Sequence, residues 1–102
     1  MRLPWLRVAV RGPSMIPTLA PGEWVLVRRT ASPRPGAVVL VRTPERLTVK
    51  RLVRLTEDGC WVEGDNPAAS TDSRTYGAVP RQDVVGEVRW RYHPWRRAGR
   101  VR

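Results

Sequence analysis

Three residue types are scarce in this chain, and each scarcity narrows its chemistry. Only one cysteine, Cys60, and one histidine, His93, occur among 102 residues. A lone cysteine excludes an internal disulfide and suits a reducing compartment. With Gly59, Trp61 and Val62 around it, Cys60 reads as a small buried thiol. One Cys and one His make no ligand cluster, so neither a metal nor another cofactor is expected. Long apolar runs are missing as well: nothing approaches the roughly 18 residues that span a bilayer. The segment Met1 to Val10 is too short and too interrupted for a signal peptide or an anchor. The expectation is therefore a soluble, cytoplasmic protein with one modest core. The third scarcity is lysine: of nineteen basic residues, only Lys50 is not arginine.

The formal net charge of +10 favours anionic partners, whether nucleic acid, a lipid surface or an acidic polypeptide. Much of it lies in the run from Arg89 to Arg102, where arginines alternate with Trp90, Tyr92 and Trp95. Such a run could stack on bases or sit at a membrane interface. Its plain reading is a solvated, arginine-biased end, and no recognised nucleic-acid motif accompanies it. A nucleic-acid partner is not expected.

Ten prolines and eight glycines break the chain into short pieces. Between them, Glu23 to Arg29, Ala37 to Arg42, Leu47 to Leu55, Cys60 to Glu63 and Val84 to Tyr92 carry strand patterning. Several alternate apolar with polar residues, and no window of helical length shows a 3.6-residue period. Ala20-Pro21-Gly22, Ser32 to Gly36 and Glu57-Asp58-Gly59 read as turns. The expected fold is all-β: a small, coiled, antiparallel sheet, barrel-like in form. Composition shifts only after about Tyr92, dividing the chain into a domain over 1–92 and a basic tail over 93–102.

Arginine remains protonated at any working pH, whereas a desolvated lysine can lose its proton and act as a base. Lys50 lies in a strand-like run with Val49 and Leu52 as apolar neighbours, so its amine can be stripped of water. An ordinary lysine is neutral at pH 7 in about one molecule in 2,500, and desolvation raises that fraction. A partner is available in Ser14, within Gly12-Pro13-Ser14-Met15-Ile16-Pro17. A serine on so sharp a connection can present its hydroxyl and its own N–H to one point, as a nucleophile with an oxyanion donor must. A third segment, Gly64 to Gly77, is dense in turn formers and small hydroxyls. Asp72 and Arg74 can pair across a tight bend, and the bend could set the Ser70 hydroxyl against the lysine amine.

These three segments, in this order, resemble the boxes of the type I signal peptidases, a Ser–Lys peptidase family. Ser14-Met15-Ile16-Pro17-Thr18-Leu19 is similar to the nucleophile box and Val49-Lys50-Arg51-Leu52 to the general-base box. Gly64-Asp65-Asn66 with Ser70, Asp72, Ser73 and Arg74 is similar to the last box. The likeness covers roughly residues 8 to 90. It implies Ser14 as nucleophile, Lys50 as general base, Ser70 as the lysine-orienting hydroxyl, and Asp72 with Arg74 as a loop brace. It also implies an all-β coiled-sheet domain and hydrolysis of a polypeptide precursor after small residues, the substrate lying extended beside a strand edge.

Three features depart from the usual pattern: no membrane anchor before Ser14, Gly12 where some members carry a serine, and no large insertion between the lysine and the last box. The short, anchorless form is similar to the relatives that remove an N-terminal extension from nickel-type superoxide dismutase. Processing of exported preproteins at the membrane is the alternative, since the tryptophan-bearing basic tail could contact anionic lipid. A self-cleaving repressor domain also uses serine and lysine, but the Gly64 to Arg74 segment speaks against it. A basic β-barrel that binds nucleic acid would leave Lys50 and all three boxes unexplained.

Overall fold

The computed structural model describes residues 3–102. Seven strands follow one another as β1 (Trp5–Ala9), β2 (Trp24–Arg29), β3 (Val38–Arg42), β4 (Leu47–Thr56), β5 (Gly59–Glu63), β6 (Val84–His93) and β7 (Gly99–Arg100). They join into one antiparallel sheet of order β1-β2-β6-β3-β4-β5, with β7 added beside β6. Among the described residues the helical structure is one α-helical turn, α1 (Ser73–Tyr76), and three 3-10 turns, so the expected all-β class is what the chain adopts. Among the described residues no helix is long and apolar enough to cross a membrane.

The five runs expected as strands become β2 to β6, each end within one residue of its expected place. β1 adds to them. Its side chains alternate, with Leu6 and Val8 packed on the core and Trp5 and Arg7 exposed.

Burial has two sides, because the sheet coils and encloses apolar residues on both faces of its centre. Val38 and Leu40 of β3 join Val25, Val27, Val49 and Val88 in one cluster. Val39 and Val41 join Leu52, Cys60 and Val62 in the other. With a side-chain period of two, an unbroken apolar run is what such a central strand requires. Cys60 is fully buried in the second cluster, and burial pushes its thiol pKa upward.

The stretch 93–102 does not run free in solvent as its composition suggests. β7 pairs with β6 through Trp90 and Arg91, and Val101 is buried in the first cluster. Arg97 Nε donates to Glu23 at 2.6 Å, and Arg91 Nη1 to the same carboxylate at 3.2 Å. Burial pushes the Glu23 pKa up, but the Ala20 N–H, the Arg97 bond and the Arg91 charge outweigh it, leaving the carboxyl below its usual range. One buried valine and one buried carboxylate thus hold down a segment that reads as soluble charge.

Candidate active site

β1 is followed by Val10, whose N–H donates to Glu23 O at 2.8 Å and whose carbonyl accepts from Gly22 N at 2.9 Å. The chain between these anchors doubles back through the Ser14 turn. Gly12 has φ +76, a left-handed conformation that glycine adopts freely and serine rarely. The backbone therefore accounts for glycine at that position. Met15 and Leu19, both fully buried, root the turn in the core, and Leu19 N–H closes it on Met15 O at 3.0 Å. Among the described residues no backbone acceptor takes the Ser14 N–H.

Lys50 projects from β4 opposite Val39, while Val49 beside it points to the other face. Only 4% of Lys50 is exposed, and its Nζ donates to Ser14 Oγ at 2.9 Å. Burial lowers its pKa, and the Arg46 and Arg74 charges lower it further, against an opposing pull from Asp72. A desolvated amine at hydrogen-bond distance from a hydroxyl has the geometry and the basicity to accept its proton. Both groups open into a cleft of about 620 Å³, which Pro13, Thr48, Ala69 and Ala78 also line.

Behind the pair stands the segment after β5. Asp72, wholly buried, caps α1 by accepting from Arg74 N at 3.2 Å, and it also accepts from Gly64 N at 2.8 Å. Arg74 donates to both of its oxygens, Nε at 3.0 Å and Nη2 at 2.6 Å. Burial raises the Asp72 pKa, but the bonds from Arg74, Ser70 and the backbone drive it far below the usual carboxylate range. The ion pair thus forms as the sequence suggests.

Ser70 takes a different partner from the one expected. Its hydroxyl donates to Asp72 Oδ2 at 2.5 Å, and no Ser70–Lys50 hydrogen bond forms among the described residues. The carboxylate is the stronger acceptor, and the bend that holds Asp72 also holds Ser70 against it.

Two further residues, Gly64 and Asp65, stand in the last of the three boxes, but sequence reasoning assigned them no role. Gly64 is a spacer: a Cβ built on it meets Ser70 Oγ at 2.3 Å and Ser14 O at 2.6 Å. Asp65 is a clamp that ties the three segments together. It accepts from the Thr18 hydroxyl and from Arg51, through Nε at 3.2 Å and Nη2 at 2.7 Å. Burial raises the Asp65 pKa, but the Arg51 and Thr18 bonds outweigh it and keep the group ionised. Asn66 completes the grip, its N–H on Ser14 O at 2.8 Å and its side-chain nitrogen on Pro13 O at 3.0 Å. The available signal was adjacency, since Arg51 follows the lysine and Asp65 follows the spacer glycine.

Comparison with known proteins finds relatives named as proteases. Subunits 1b and 1a of the mitochondrial ATP-independent inner membrane protease of Arabidopsis thaliana are 32% and 34% identical to the chain. Their alignments cover 86% and 83% of it and 70% and 68% of the relatives. Subunit 1 of the mitochondrial inner membrane protease of Xenopus tropicalis is 30% identical over 85% of this chain and 68% of its own. Residues 4–88, which include the Ser14 turn, Lys50 and the loop behind them, match the model of the family described as Peptidase S24-like, and the chain belongs to that family.

Proposed function

We propose that the protein is a serine endopeptidase in which Ser14 is the nucleophile and Lys50 the general base. The observation that carries this reading is the 2.9 Å contact between a buried lysine and a hydroxyl on the wall of an open cleft. With Lys50 neutral, the Ser14 hydroxyl gives its proton to Nζ as Oγ attacks the scissile carbonyl. The N–H of Ser14 faces the developing oxyanion. The lysine ammonium then returns the proton to the departing amine, and water repeats the cycle on the acyl-enzyme. Asp72 and Arg74 brace the loop and hold the Ser70 hydroxyl within it, and the Asp72 charge favours the protonated amine.

The substrate is a polypeptide precursor with small residues near the cut. β5 pairs with β4 only from Arg51 onward. The stretch Leu47–Lys50 therefore has β3 on one side and an open edge on the other, where an extended chain can add as a strand. The named relatives are inner membrane proteases, which supports cleavage of targeting or leader segments. Within that class the specific reading is removal of the N-terminal extension of nickel-type superoxide dismutase in the cytoplasm. Leader processing at a membrane surface is the second reading, favoured by the relatives' names.

The experiment incubates the protein with a nickel superoxide dismutase precursor and, separately, with a signal-peptide substrate on liposomes, reading products by mass spectrometry. Lys50→Arg is the control, since a guanidinium cannot accept the serine proton. A single cut at the start of the nickel-binding segment, absent in Lys50→Arg, is the expected result. Cleavage of the liposome substrate alone moves the enzyme to leader processing. Retained activity in Lys50→Arg refutes the general-base assignment.

A further inference from the structure

We propose that the outward face of β1, β2, β6 and β7 is a docking surface for an anionic lipid bilayer. The register sets the side chains out in rows. Arg7 lies opposite Leu26, Leu26 opposite Trp90, and Trp90 opposite Arg100, so one row crosses four strands. On either side, Trp5 pairs with Arg28, and Trp24 lies between Ala9 and His93. Trp5, Trp24 and Trp90 are 42%, 40% and 47% exposed, and Trp95 just beyond β6 is 79% exposed. Neighbours on these strands that could have turned the rings inward, Val25, Val27 and Val88, fill the core instead.

The charge on this face has one sign. The two carboxylates at or on these strands, Glu23 and Glu87, are buried and engaged by arginines. The other seven acidic residues lie between positions 45 and 83, one on β5 and the rest in the connections from the end of β3 to the start of β6. Arg28 stands over the Trp5 ring, 5.5 Å from its centroid, and a shallow hollow lined by Arg7, Trp24, Tyr92 and His93 adjoins the row. Indole rings with an apolar body and a polar N–H settle at the headgroup level, and guanidiniums among them meet lipid phosphates. A broad sheet face suits a planar surface. A single nucleic-acid strand is held by a groove that tracks its backbone.

The test is co-sedimentation at physiological salt with vesicles of phosphatidylcholine, with and without phosphatidylglycerol. It is read independently of peptidase activity, so the two readings fail separately. The double variant Arg7→Glu with Arg100→Glu is compared with a far-side variant, Arg54→Glu with Arg81→Glu, which changes charge equally away from β1, β2, β6 and β7. Wild type and the far-side variant should bind only the anionic vesicles, and the face variant about a hundredfold more weakly or worse. Trp24→Ala, at an exposed position, should lower partitioning about tenfold with its melting temperature unchanged. Brominated acyl chains should quench the bound protein's tryptophan emission. Equal loss in both charge variants, unquenched emission, or no binding overturns the proposal. So does a finding that the same face mediates self-association, or binds single-stranded nucleic acid in preference to lipid.

Discussion

Lys50 and Asp72 are buried charged groups with opposite effects on stability, and the signs can be worked out from their pKa directions. Lys50 is held below its ordinary value of 10.5, so the unfolded chain binds the extra proton as pH rises toward that value. Its contribution to stability therefore improves with pH across that window. Lys50→Met places a thioether chain of similar length in the same apolar setting. The variant should be inactive and yet melt higher at neutral pH, by the equivalent of about 1 kcal/mol. A lower melting temperature would mean that the Ser14 contact stabilises the fold more than desolvation costs it. Activity of the wild type should rise on an acid limb centred below the usual lysine range, measured as kcat/KM against pH. Asp72 runs the other way. Its pKa lies below the ordinary 3.8, so it stabilises above that value and loses its contribution as pH falls through its folded pKa. Asp72→Ala leaves the Gly64 N–H, the Ser70 hydroxyl and Arg74 without their acceptor, and should cost about 2–4 kcal/mol by chemical denaturation at neutral pH. An unchanged denaturation midpoint would remove the brace role.

Most strands with one wet face were legible in the sequence, although β1, which alternates too, did not stand out as one. β2 and β4 alternate, and their limits could be read within a residue. β3 could be recognised as a strand but not oriented, because Val38 to Val41 are all apolar and serve both clusters. β7 has two residues, too few for any period, and only Val101 behind it carries apolar weight. The same physics governs the site. Ser14, Lys50 and the Asp72–Arg74 pair stood out because their residue types are chemically unusual in place. The Thr18–Asp65–Arg51 clamp and the preference of Ser70 for Asp72 depend on how three segments pack, which spacing does not encode. Gly64 marks where those segments touch, between the Ser14 carbonyl and the Ser70 side chain. Gly64→Ala adds one methyl at that junction, and backbone on one side cannot yield as a flexible side chain would. The expected outcome is a loss of kcat of about tenfold or more, because small displacements of a nucleophile have large effects on rate. Wild-type kcat in Gly64→Ala would show that the junction does not set the position of Ser14.

At the scale of the whole molecule, one imbalance governs the response to salt. Among the described residues six of the nine carboxylates pair with arginines, and three of them, Glu23, Asp72 and Glu87, have side chains no more than 5% exposed. Salt screens such buried pairs weakly. The remaining excess of +10 is spread over a chain with a radius of gyration of 12.6 Å, so repulsion among surface arginines acts within one or two Debye lengths at physiological ionic strength. Added salt screens that repulsion and leaves the buried pairs largely intact. The melting temperature should therefore rise between low and moderate sodium chloride, followed by circular dichroism at fixed pH. A protein stabilised mainly by exposed ion pairs would respond in the opposite direction, since surface bridges contribute little and lose even that on screening. A falling melting temperature would place the stabilising electrostatics on the surface and make the +10 excess a minor term in folding.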